Sequence, residues 1–102
     1  MTDQLVIQDT ALLLEKNFYL KIPDKLSTEE ELVALMTPVI HQMLNRDFEK
    51  LLQVCYRIDL GENKLKAILH ESDPEMMAFD LAKALVERQI LKIEIRNRYS
   101  GS

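Results

Sequence analysis

"RQILKIEIRNRY", residues 88–99, is the stretch on which the fold class turns. Leu91, Ile93 and Ile95 alternate with Lys92, Glu94 and Arg96, which is the two-residue period of a half-buried strand. A strand there has an obvious partner in "FYLKI", residues 18–22, where Phe18, Leu20 and Ile22 alternate with Tyr19 and Lys21 and Pro23 keeps Ile22 out of helical geometry. The helical reading is preferred for two reasons. Glu94 precedes Arg98 by four residues in the favourable orientation, and the excess of cations complements the negative end of a helix macrodipole.

Outward from that tail, helix punctuation accumulates. "SDPEMM", residues 72–77, places Asp73 as N-cap, Pro74 at the first helical position and Glu75 in the first turn, opening a helix through Met77, Leu81, Ala84 and Leu85. Asp59 and Glu62 have capping-box spacing and are expected to start the helix that carries Leu65, Ile68 and Leu69 and closes near His70. A very short turn joins it to a helix capped by Asp47, with Phe48, Leu51, Leu52 and Cys55 on one side and Tyr56 and Ile58 at its end. Ser27 and Glu30 form another capping box, ahead of an apolar face of Leu32, Leu35, Met36, Val39, Ile40, Met43 and Leu44. Pro38 either kinks that helix, by crowding the Ala34 carbonyl, or follows Thr37 as the first-turn proline of a second one. Thr2 to Lys16 is a wide-faced helix with Leu5, Val6, Ile7, Leu12, Leu13 and Leu14.

The expected fold is all-α: a single-domain bundle of about five or six short helices, with room for a minor extended segment near residues 18–22. Residues 1–26 hold the N-terminal helix and its extended connection, and 27–98 the helical core. With 47% hydrophobic and 29% charged residues, the 102-residue chain has globular composition. Its net charge of −4 argues against a broad nucleic-acid footprint. The charge is uneven: Lys83, Arg88, Lys92, Arg96 and Arg98 against Glu87 and Glu94 leave +3 in the last helix and −7 elsewhere. The lone cysteine has no intrachain disulfide partner, and neither a membrane span nor a secretory leader is evident, so the expected location is cytoplasmic.

Cys55 falls on an apolar helix face, where a thiol is a small buried hydrophobe rather than a nucleophile. His41 and His70 have no ligand companion at helical spacing, so a metal would require them to converge from separate helices with a carboxylate or Cys55. "DLGENK" fails as a calcium loop, because Lys64 and His70 stand where glycine and a bidentate glutamate are needed. The acids of "TEEEL", residues 28–32, suit a helix first turn. No phosphate-binding glycine loop or nucleophile elbow occurs. Catalytic, cofactor and metal residues are therefore assigned to none. Tyr56, Arg57, Arg88, Lys92, Arg96 and Arg98 form the candidate interaction surface, with Tyr56 and Arg57 presented beside a tight turn and the others on the basic helix.

Residues 46–93 resemble a small uncharacterised bacterial helical family, through Arg46-Asp47-Phe48-Glu49, Tyr56-Arg57-Ile58-Asp59 and Glu87-Arg88-Gln89. That resemblance carries no catalytic motif. In size and make-up the chain is also similar to death-like adaptor domains, which associate with their own kind in signalling or defence; this likeness is one of fold alone. The leading expectation is a non-enzymatic interaction or adaptor module that self-associates or docks on a protein partner. A nucleic-acid regulator using the basic helix, and a Cys/His enzyme or metal protein, are the alternatives.

Overall fold

The computed structural model describes residues 3–23 and 25–100, and among them the regular structure is helical throughout. Five helices follow in order: α1 (Gln4–Phe18), α2 (Glu29–Arg46), α3 (Phe48–Ile58), α4 (Glu62–Glu71) and α5 (Met77–Ser100). The 88–99 stretch is helix to its end. Its alternation is incidental, because burial follows the helical period instead: Ile90 and Ile93 are buried, whereas Leu91 and Ile95 are exposed.

α5 is the centre of the molecule. Leu81, Ala82, Ala84, Leu85 and Val86 are all buried, so apolar residues surround the helix on most sides, and α1, α2, α3 and α4 each pack against it. Its 24 residues span about 36 Å, close to the 41 Å long dimension of the molecule. The turns after Ile93 run past the core, with residues 95–99 all exposed. The core it organises contains Val6, Ile7, Leu14, Leu32, Met36, Ile40, Leu51, Val54, Cys55, Ile58, Leu65 and Ile68.

Several helix boundaries depart from the sequence expectation, each for a local reason. The capping box of α2 lies one residue later than expected: the Thr28 hydroxyl accepts from the Glu31 amide, and the Glu31 carboxylate accepts from the backbone amides of Ser27 and Thr28. Three consecutive acids, Glu29, Glu30 and Glu31, make the register ambiguous in sequence. Pro38 does not break α2, which is continuous from Glu29 to Arg46. The preceding Thr37 hydroxyl donates to the Val33 carbonyl at 2.7 Å. Asp47 ends α2 and opens α3, without a side-chain capping bond. Asp73 does not open α5 directly; its carboxylate accepts from the Glu75 amide within a turn, and the helix begins at Met77.

The largest correction concerns Asp59. It is not the N-cap of α4 but the left-handed residue that ends α3, at φ 64°. The Asp59 amide donates to the Tyr56 carbonyl and the Leu60 amide to the Cys55 carbonyl, both at 3.1 Å. That pair of bonds is a Schellman ending, which satisfies the helix's last carbonyls. Gly61 then serves as the N-cap of α4 at φ 100°, a conformation that side chains rarely adopt. α1 ends similarly, with Tyr19 at φ 55° and the Leu20 amide donating to the Glu15 carbonyl.

The expected extended segment at 18–22 pairs with no strand. Phe18 is the last residue of α1 and Ile22 is buried, while Tyr19 and Lys21 are exposed. The Glu15 carboxylate accepts the Ile22 amide at 2.7 Å, tethering the connection to the helix it leaves. In α1 the buried face is Val6, Ile7, Thr10, Leu14 and Phe18, so Leu5 and Leu12 face outward.

Candidate functional site

The expected interaction residues fall on the flank where α3 ends against α5. Tyr56 and Arg57 occupy the last turn of α3 and are exposed. Facing them, two α5 cations one turn apart reach the end of α3. Arg88 donates from Nε to the Asp59 carbonyl at 2.9 Å and from Nη2 to the Asp59 carboxylate at 3.2 Å. Lys92 donates from Nζ to the Ile58 carbonyl at 2.9 Å. Helix C-termini carry unsatisfied carbonyls and partial negative charge, so these two cations satisfy acceptors that the α3 end would otherwise turn to water.

Past this clamp, Arg57, Lys92 and Arg96 line one surface depression of 310 Å³ with Leu13, Asn17, Gln89 and Ile93. The structure thus unites three of the six expected residues, from α3 and α5, and adds α1 as a third wall. Arg88 stands beside it, engaged by Asp59. Arg98 lies two residues beyond Arg96, about 200° further round the helix, and so leaves from a different side of α5.

Sequence reasoning missed Gln89 and Asn17. Gln89 is only 3% exposed, a polar residue four from buried Leu85 and four from buried Ile93. A glutamine on the core period was the signal available. Asn17 donates from Nδ2 to the Leu13 carbonyl at 3.0 Å, which sets its orientation at the rim.

α5 carries acids on its other side. With about 100° per residue, Glu87 and Glu94 share one edge of the helix with Lys83 and Arg98, and Arg88, Lys92 and Arg96 form another. The Glu29 carboxyl at the start of α2 senses the acidic edge. Its pKa is raised from 4.5, first by partial burial and then by repulsion from Glu87, Glu30 and Glu94, against attraction to Lys83. Between the two edges, Leu91, Ile95 and Tyr99 recur every fourth residue as an exposed apolar stripe, with Tyr99 81% exposed.

Cys55 is 1% exposed, and burial pushes its thiol from 9.0 up to about 11, so it is held as the neutral thiol at physiological pH. His41 and His70 do converge, on a 490 Å³ groove between the helix ends, with Leu44, Phe48, Leu69 and Met77. Cys55 is not among that groove's residues, and no group of three or more metal-ligating side chains occurs among the described residues. Of the methionines, Met36 is core, whereas Met76 is substantially exposed.

No family model, curated protein or solved structure matches the chain.

Proposed function

We propose that the chain is a non-enzymatic interaction module whose partner is a second copy of itself, paired through the outer face of α5. The observation that carries this reading is the order of side chains across that face: an edge holding Glu87 and Glu94, with Arg98 one turn beyond Glu94, an exposed apolar stripe (Leu91, Ile95, Tyr99), and a wholly basic edge (Arg88, Lys92, Arg96). Exposed apolar residues in a continuous stripe favour burial against another surface, and the flanking charges select its orientation.

The geometry of a two-fold axis decides which orientation. If two copies of α5 pack face to face in parallel about an axis running between them, Glu87 and Glu94 of each copy meet the basic edge of the other helix, with Arg98 the one cation on their side of the stripe. An antiparallel pairing sets acid against acid and base against base. The parallel arrangement is isologous and closed, so it ends at a dimer. Arg88 and Lys92 keep their charge while bonded to α3, and so contribute to this complementarity as well as to the clamp.

The test is sedimentation equilibrium over a range of protein and salt concentrations, joined to cysteine cross-linking. Dimerisation that weakens with salt is expected. Identical positions meet in a parallel pair, so Ile95→Cys is expected to cross-link with itself. A mixture of Leu91→Cys and Tyr99→Cys should cross-link far less than Ile95→Cys alone. A strict monomer throughout, or preferential linkage between positions 91 and 99, overturns the reading.

A further inference from the structure

We propose that the depression bounded by α1, α3 and α5 is an oxyanion-binding site, taking one phosphate or carboxylate group between Arg57, Lys92 and Arg96 over the Gln89 amide. Lys92 and Arg96 also belong to the basic edge of the pairing face, but the site is complete within one chain and does not depend on the self-association proposed above.

Four observations converge on it. Three cations from two helices line a single depression on a chain whose overall charge is −4. Among the described residues, Arg57 forms no hydrogen bond or ion pair, so its five-donor guanidinium is available to a ligand. Lys92 uses one of its three protons on the Ile58 carbonyl and keeps two, and that bond fixes the ammonium at the mouth of the site.

Gln89 is the fourth observation and the most telling. Its side chain is almost wholly enclosed, at 3% exposure, yet its amide hydrogen-bonds to no described residue. No buried side-chain nitrogen or oxygen lacks a partner among the described residues. The amide atoms of Gln89 must therefore be where its small remaining exposure lies, opening into the depression it lines. A primary amide supplies two donors. Set at the floor of a cationic depression, those donors are within reach of an acceptor such as an oxyanion held by the cations. Asn17, held by its bond to the Leu13 carbonyl, has a second amide proton at the rim. The 310 Å³ available accommodates a phosphate or a carboxylate with adjoining water.

The experiment is a titration of the full chain followed by NMR of the Gln89 amide protons and the arginine Nε–H signals. It is run at a protein concentration where sedimentation shows monomer, so that failure of pairing and failure of this site are distinct results. One arm uses inorganic phosphate and the other an acidic peptide, Thr-Glu-Glu-Glu-Leu, to separate a free oxyanion from a protein carboxylate. Saturable shifts confined to Gln89, Arg57 and Arg96 are expected in at least one arm. Gln89→Met, of similar volume, and the exposed Arg57→Gln are each expected to weaken binding by about tenfold or more. Shifts that stay linear in anion concentration in both arms, or spread over every cation, overturn the proposal. So does affinity that is unchanged in Arg57→Gln, whose surface position leaves the fold intact.

Discussion

Arg88 of α5 grips Asp59 of α3 at two points, its Nε on the backbone carbonyl and its Nη2 on the carboxylate. Asp59 is the left-handed residue that ends α3, so the guanidinium binds the helix terminus and its capping residue together. Lys92, one turn later, takes the Ile58 carbonyl. The basic helix is thus partly a structural device, holding the end of one helix against the middle of another.

Arg88→Ala should lower stability by about 0.5–1.5 kcal/mol, read as a shift in urea midpoint with unchanged slope. The small figure reflects exposure, since the Arg88 side chain is 32% and that of Asp59 74% accessible, and water screens the pair. Arg88→Lys should recover little of the loss, because an ammonium cannot span both acceptors. Asp59→Gly should be far milder than Asp59→Ala, since glycine relieves the left-handed backbone while losing the carboxylate. If glycine proves as costly as alanine, backbone geometry is not what Asp59 contributes.

Pro38→Ala should stabilise the protein by about 1 kcal/mol, raising Tm by about 4–8 °C. Proline cannot donate to the Ala34 carbonyl, and its ring crowds that carbonyl, so α2 carries a defect that tertiary packing tolerates. The side chain is exposed at the rim of an apolar groove with Val33 and Phe79, so little packing is lost on its removal. A loss of stability in a thermal melt would mean that Pro38 itself is needed for α2 to meet α5.

The sequence disclosed the helices and misread their ends. Apolar spacing placed Leu32, Met36 and Ile40, or Leu51 and Cys55, on buried faces because periodicity reports facing directly. Even at 18–22, alternation marked which residues turn inward, Phe18 and Ile22, although the segment pairs with no strand. Termini failed because similar residues serve opposite roles. Asp59 followed by Glu62 has the spacing of an N-terminal box, but aspartate also tolerates the left-handed region, and the C-terminal role won once Arg88 could reach it. The same limit applies to the site. Arg57, Lys92 and Arg96 were individually visible as cations, whereas their union with Asn17 and Gln89 requires helix packing across three elements. No local pattern encodes that packing.

Cys55 should alkylate only through opening of the fold. With its pKa raised from 9.0 to about 11, thiolate at neutral pH is about a hundredfold scarcer than for an ordinary cysteine, and enclosure slows it further. The rate of reaction with iodoacetamide should rise steeply with urea, in step with unfolding. Rapid labelling in native buffer, at the rate of a free thiol, would reinstate Cys55 as a candidate nucleophile.

Two glutamates two residues apart in α2 should give opposite pH dependences. Hydrogen bonds from the Ser27 amide and then the Thr28 hydroxyl hold the Glu31 carboxyl below its ordinary 4.5, because they favour its ionised form. The stability it contributes is present above 4.5 and is lost as pH falls through the lower folded value. Glu29 is the reverse: burial and the surrounding glutamates raise its pKa in the native state. Its ionisation therefore opposes folding, and stability declines as pH rises from 4.5 through the raised value. Compared with the unaltered protein in urea melts between about pH 3 and pH 7, Glu31→Gln should be less stable at neutral pH, and Glu29→Gln more stable. Both differences should shrink in acid, where the native carboxyls are already neutral. Glutamine can still complete a capping box, so the Glu31→Gln loss reports the charge on that carboxylate and not the absence of a cap. Differences of the same sign for the two variants at neutral pH would show that neither burial nor the neighbouring glutamates oppose the ionisation of Glu29 in the native state.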